Sequence, residues 1–290
     1  MKRIVISMSL FALLLSSGAA YSQLKLPALS PTAKVSQDFS ISNIEISYSR
    51  PSMRGRKVMG EMIPYGKVWR TGANAPTKIK FGEDVEIAGQ RIKAGEYSVY
   101  TIPDRDKWEV VFSTATGNWS ADGFPREYDA ARLKIKPISL NEDVQTFTIA
   151  ISDITFTSCK IEMMWERTMI VIPVVADNKD AVAANIDKAL NNTSVPYFQA
   201  ASYYYETNQK LDDASRYVDK AIEQNPKAFY MWYLKARIEK KLGNTEDALA
   251  AAKKSIELSK GTANELEYKR NNEKIIAELN KHKRAYQTAD

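Results

Sequence analysis

The chain has 290 residues, enough for two domains, and its 41 Lys and Arg against 35 Asp and Glu leave a formal charge of only +6. That small, dispersed excess argues against a nucleic-acid partner. One Cys excludes an intramolecular disulfide framework, and one His, His282 in the tail stretch NKHKRAY, argues against serine–histidine catalysis and histidine-rich metal sites.

The first element is apolar and short. Lys2 and Arg3 precede an apolar run over residues 4–15, and Ala20 and Ser22 stand at the minus-three and minus-one positions before Gln23. This is the pattern of a secretory signal peptide over residues 1–22, too short for a transmembrane helix. The protein is therefore expected to be exported, periplasmic or extracellular, with cleavage near residue 22. Loss of Lys2 and Arg3 takes the formal charge from +6 to +4. No later stretch reaches the roughly 18 apolar residues of a membrane span, so no transmembrane segment is expected in the mature chain. Residues 23–37 read as a linker.

Residues 38–175 read as strands. Ile44, Ile46 and Tyr48 alternate with polar residues, as do Ile79 and Phe81, then Tyr97, Val99 and Thr101 in EYSVYTI. Val110 and Phe112, then Phe147, Ile149 and Ile151, then Cys159, Ile161, Met163 and Trp165 continue the period of two. With Gly, Pro and Asp between the runs, the expected fold is an antiparallel β-sandwich, or a barrel-like closure of the same strands. Cys159 falls on an apolar face with no histidine beside it, which is the setting of a structural thiol.

The pattern changes near Asp177, and residues 176–290 read as helices. Asp213-Ala214 recurs as Asp247-Ala248, and Ala221-Ile222-Glu223 as Ser255-Ile256-Glu257, both at an offset of 34 residues. That is the tetratricopeptide period. Phe198, Ala201, Ser202, Tyr205, Ala214, Ala221 and Pro226 occupy the repeat's positions in a first unit, with Val218 in place of a bulkier residue. A second unit is looser: Trp232, Ala236 and Ala248 fit, whereas Lys235, Glu239 and Lys260 depart. Helical stretches at 178–192 and 262–284 are expected to cap the repeats, the last with Leu266, Ile275, Ile276 and Leu279 inward. Such repeats present a groove for a protein or peptide partner, expected here at Tyr204, Tyr230 and Tyr233.

One stretch does not reduce to alternation. Residues 50–70 carry Arg50, Arg54, Arg56, Lys57, Lys67 and Arg70 against a single acid, Glu61, and lead into YGKVWRTGANAPT at 65–77. Glycine turns beside arginine forks suit a small anionic or sugar-like ligand, which places candidate contacts at Trp69, Arg70, Asn74, Arg54 and Arg56. The competing expectation is a long structural crossover loop whose arginines pair with acids across the sandwich and whose Trp69 plugs a core end. The Gly-Lys-Ser/Thr ending of a phosphate-binding P-loop is missing.

The segments SRPSMRGRKVMG, PYGKVWRTGANAPTKIKF, AGEYSVYTIP, WEVVFS, ARLKIKP, FTIAISDI and MMWERTMIVIPV, in that order, resemble the bacterial family catalogued as domain of unknown function 2911 over about residues 38–175. The resemblance implies an exported bacterial β-domain, often followed by repeat helices, and assigns no catalytic residue. The leading expectation is a two-domain binding protein rather than an enzyme. The alternatives are a carboxylate-dependent hydrolase of envelope material built around Glu61, or a purely structural envelope scaffold. No cofactor is expected. No metal is expected either, because DRD at 104–106 and DNKD at 177–180 lack the glycine and distal glutamate of a calcium loop.

Overall fold

Strand alternation builds the first domain. In β2 (Ser42–Ser49) the side chains of Ile44, Ile46 and Tyr48 are buried, and in β3 (Thr77–Phe81) those of Ile79 and Phe81. Antiparallel pairing sets Ile46 opposite Ile79, and Ile79 opposite Tyr97 of β6 (Gly95–Ile102). With β1 (Thr32–Phe39), β7 (Trp108–Ser113) and β8 (Asp129–Ile135), they form a sheet of order β1-β2-β3-β6-β7-β8. The second sheet is made by β4 (Val85–Ile87), β5 (Gln90–Ile92), β9 (Ile138–Ser152) and β10 (Ser158–Ala176), in the order β5-β4-β10-β9. The computed structural model describes residues 26–117, 126–190 and 196–287, with side chains to residue 281. The expected signal peptide and the His282 side chain lie outside these.

Both sheets contribute to one apolar core, and they stay open instead of closing into a barrel. Residues 32–37, expected as part of a linker, belong to β1. This is an edge strand in which only Ala33, Val35 and Phe39 reach the core, while Lys34, Ser36 and Asp38 face solvent. Its pattern is therefore too polar to announce a strand, and its pairing with β2, Val35 opposite Ile46, fixes it.

Beyond β2 the chain changes sheets. Phe147 N–H donates to Pro51 O at 2.9 Å, and Met53 N–H to Gln145 O at 2.8 Å. Residues 51–53 thus cover the free edge of β9. Arg50 reinforces the corner, its Nε donating to Phe147 O at 3.1 Å and its Nη2 to Thr148 Oγ1 at 2.8 Å. The buried Tyr48 hydroxyl accepts from Ile149 N–H at 2.9 Å and lies 3.3 Å from Ile149 O, to which it donates.

Among the described residues six helices follow: α1 (Lys179–Leu190), α2 (Tyr197–Glu206), α3 (Leu211–Gln224), α4 (Phe229–Leu242), α5 (Thr245–Ser259) and α6 (Glu265–Gln287). The small residues at repeat positions, Ala201, Ala214, Ala221, Ala236 and Ala248, are all buried and let the helices approach closely. Gly243, at φ +84°, supplies the left-handed residue that ends α4. Ile275 and Leu279 of α6 face inward as expected and Ile276 packs beside them, but Leu266 is 82 % exposed. It sits in the first turn, where Phe229 and Tyr233 of α4 meet Tyr268 instead.

The domains meet where β10 runs into α1. Asp177 N–H donates to Asp84 O at 2.9 Å, and Asn178, immediately before α1, donates from Nδ2 to Ser40 Oγ at 2.8 Å and to the Glu83 carboxylate. Phe156 meets Tyr203 of α2 edge-on, with centroids 6.5 Å apart.

Two outcomes are expected. Tyr48→Phe leaves the buried Ile149 N–H without its acceptor and should lower stability by about 1–3 kcal/mol in urea unfolding. An unchanged midpoint would mean that the corner is not held there. Burial raises the Glu83 carboxyl above its ordinary value, against the opposing hydrogen bond from Asn178. The folded chain then holds that proton more tightly than the unfolded chain. Stability contributed by this group falls as pH rises from the ordinary carboxylate value through the folded one, then levels off. Glu83→Gln should flatten that part of a stability–pH profile. An identical slope would place the titration elsewhere.

Candidate functional site

The loop that interrupts the alternation is built into the sheet. Trp69 exchanges two backbone hydrogen bonds with Thr101 of β6, N to O at 2.7 and 2.9 Å. It occupies the lane beside β6 ahead of β3, whose first residue, Thr77, pairs with Val99. The chain between is pinched shut, with Thr77 N–H donating to Arg70 O at 3.1 Å and the Thr77 hydroxyl to Thr71 O. Residues 70–76 are therefore a closed excursion from the line of β3. At Gly72 the backbone passes close to β2, and a Cβ there would stand 3.1 Å from Ser49 O.

Trp69 is 6 % exposed. Its ring lies 5.8 Å from Trp165 in a stack, 5.0 Å from Phe147 and 6.4 Å from Trp108, the last two edge-on. Its Nε1–H donates to Gly72 O at 2.8 Å. The arginines meet backbone oxygens. Arg70 Nη1 donates to Asn74 O at 2.5 Å, and Arg54 Nη2 to Leu29 O at 3.1 Å. Arg56 donates to Met53 O and Ser52 O, both at 3.0 Å. Asn74 reaches Ser30 O at 3.3 Å and Ser49 Oγ at 3.4 Å. Among the described residues, none of Arg50, Arg54, Arg56 and Arg70 forms an ion pair, so the competing expectation of arginines paired with acids differs from the structure in its partners. Glu61 is an exposed surface residue, 3.5 Å from Lys57 one helical turn away in sequence.

The three expected groove tyrosines separate. Tyr204 is 1 % exposed and stacked on Tyr217 at 6.3 Å, inside the helical core. It cannot touch a partner in this arrangement. Tyr230 lies partly exposed beside Phe198, at 5.1 Å. Tyr233 opens into a groove of about 460 Å³ between α2, α4 and α6, together with Tyr205, Arg237, Lys241, Asn271 and Lys274. The Arg237 guanidinium lies 4.4 Å from the Tyr205 ring centroid and 5.5 Å from that of Tyr233, and it pairs with Glu206 at 3.1 Å. The sequence points to Tyr233 as a groove residue and to Tyr205 as a repeat position, but gives no sign of the cations. The signal available was the repeat itself, which puts the first helices of successive units side by side.

Among the described residues, no group of three or more His, Cys, Asp or Glu side chains is placed to hold a metal ion, and no helix is long and apolar enough to cross a membrane. Cys159 is buried, and burial pushes its thiol up to about 11, which disfavours the thiolate.

Trp69→Ala should cost about 3–5 kcal/mol of stability, because it opens a cavity among three aromatic rings. Arg70→Ala, which loses one exposed hydrogen bond, should cost no more than about 1.5 kcal/mol. The reverse ranking in chemical denaturation would show that Arg70, and not the ring, carries the loop.

A tetratricopeptide-repeat profile matches residues 229–262, the hairpin of α4 and α5. It selects the second unit, although the first carries more of the repeat's residues; α2 has 10 residues against 14 in α4. No curated protein and no solved structure matches the chain. The loop and both sheets, apart from the last two residues of β10, fall within residues 30–174, half of the chain, and over that span it matches the profile described as protein of unknown function (DUF2911), so the chain belongs to that family.

Proposed function

We propose that this is an exported interaction protein whose helical region docks a protein partner on the face formed by α2, α4 and α6, while the β-domain serves as its rigid base. The observation that carries this reading is the groove that three successive first helices build around Tyr205, Tyr233 and Arg237. The tetratricopeptide match over residues 229–262 supports it, since stacked repeats of this kind present extended binding faces. Export rests on the N-terminal pattern of Lys2, Arg3 and the apolar run over residues 4–15.

For the loop at 65–77 we favour an architectural role over ligand binding. A ligand at Arg70 or Asn74 competes with the bonds that these side chains already make to Asn74 O, Ser30 O and Ser49 Oγ. The hydrolase alternative depends on Glu61, and that carboxylate is 63 % exposed at the surface beside Lys57 rather than set in a cleft.

A photo-cross-linking amino acid at position 233, compared with one at Lys253 on α5, tests the docking reading in the native host. A heteromeric adduct formed from 233 and not from 253 is expected. Equal adducts from both positions, or none from either, would remove the groove as the docking site.

A further inference from the structure

We propose that the groove between α2, α4 and α6 takes an acidic segment of the partner, held by Arg237, Lys241 and Lys274; this rests on the docking reading above. Four cations line the groove, Arg237, Lys240, Lys241 and Lys274, and the neighbouring acids are Glu206 and Glu278. Glu206 pairs with Arg237, and Glu278 with Lys240. Lys241 and Lys274 stand outside these two ion pairs, and Lys274 meets the Glu278 carboxylate only through their Coulombic attraction.

The arrangement of these charges is specific. Arg237 and Lys241 both lie against the Tyr205 ring, 4.4 and 4.3 Å from its centroid. Lys241 is also held by its hydrogen bond to Tyr205 O at 3.1 Å. Two like charges gathered on one ring repel each other, and an incoming carboxylate relieves that repulsion. The Arg237 guanidinium is fixed by two rings and Glu206, and only part of its five-donor fork is used by Glu206. It therefore meets a carboxylate with little loss of side-chain freedom. Lys274 is exposed across the groove on α6, and among the described residues it forms no hydrogen bond or ion pair.

A peptide fits these groups better than a nucleic acid. A nucleic-acid strand is tracked by an extended run of cations along its phosphates. Here Glu206 and Glu278 bound the positive charge within one groove, and the neighbouring surface between α4 and α6 is aromatic, with Tyr268 in edge contact with both Phe229 and Tyr233. That pairing of a cationic pocket with an aromatic shelf suits acidic and apolar side chains in one extended segment.

The test is selection of a random dodecapeptide display library on the full chain, with counter-selection on an Arg237→Gln, Lys274→Gln double variant. Sequences rich in Asp and Glu are expected. By fluorescence anisotropy, the selected peptide should bind about ten-fold or more weakly to Arg237→Gln, and more weakly as salt is raised. Lys274→Gln removes no bond from the fold and should also weaken binding, with an unchanged circular dichroism melt. Sequences without acidic enrichment, or none selected at all, would overturn the acidic assignment. So would displacement of the peptide by a 20-nucleotide oligo-dT at lower concentration than by unlabelled peptide. None of these results decides the docking reading, which stands or falls on the cross-link at position 233.

Discussion

The β-domain depends on one residue that is held in three independent ways. The backbone of Trp69 pairs with Thr101, its indole N–H is tied to Gly72 O, and its ring is the centre of a cluster with Trp108, Phe147 and Trp165. These partners come from β6, β7, β9 and β10, so one side chain touches both sheets. The backbone pairing decides which way the ring points, because successive strand residues face opposite sides of a sheet. With Trp69 opposite Thr101 the ring turns into the core, and a slip of one residue would turn it out. The pinch between Arg70 O and Thr77 N–H keeps that register despite the six residues looped out between them.

The basic character of the neighbouring chain follows from the same geometry. A chain that leaves one sheet, crosses to the other and returns exposes backbone carbonyls that no ladder satisfies. Arg56 and Arg70 donate to such carbonyls, at Met53 with Ser52 and at Asn74, while Arg50 and Arg54 donate to Phe147 O on the free edge of β9 and to Leu29 O ahead of β1. Backbone N–H groups at the far side of the loop meet an acid instead. Glu166, at φ +52° where β10 bulges, accepts from Met59 N–H at 2.9 Å and Val58 N–H at 3.4 Å. Arginine is suited to this work because its planar fork reaches two carbonyls at once, as Arg56 does.

The contrast explains what was legible in the sequence. Ile44, Ile46, Ile79 and Phe81 announce their strands because each strand's own pattern carries the information. The boundary between the strands and helices is legible for the same reason, as the period changes where β10 ends at Ala176 and α1 begins at Lys179. A side chain's long-range partner has no such local trace. Arg50 and Phe147 are nearly a hundred positions apart, so the basic window reads equally well as a site or as a corner. Tyr203, Tyr204 and Tyr205 are consecutive, and their fates differ because a helix turns about 100° per residue. Tyr204 enters the core, whereas Tyr205 faces the groove.

The helical repeat shows where departures from a pattern carry information. Lys235 and Glu239 break the second unit's apolar pattern, and both reach across to the first unit. Lys235 pairs with Asp219 of α3, while the buried Glu239 accepts from Ser215 of α3 and from Asn244 of the turn after α4, at 2.5 and 2.7 Å. Ser255, which stands where the first unit has Ala221, donates to Phe229 O at 2.9 Å and accepts from the buried Asn272 at 3.0 Å, joining α4, α5 and α6. Buried polar groups of this kind are costly unless matched, so they penalise any other stacking of the units. The alanines allow many close packings of helix on helix, and the polar ties select one. That selection aligns Tyr205 of α2, Arg237 of α4 and Lys274 of α6 on a single face, which no unit of the repeat presents alone.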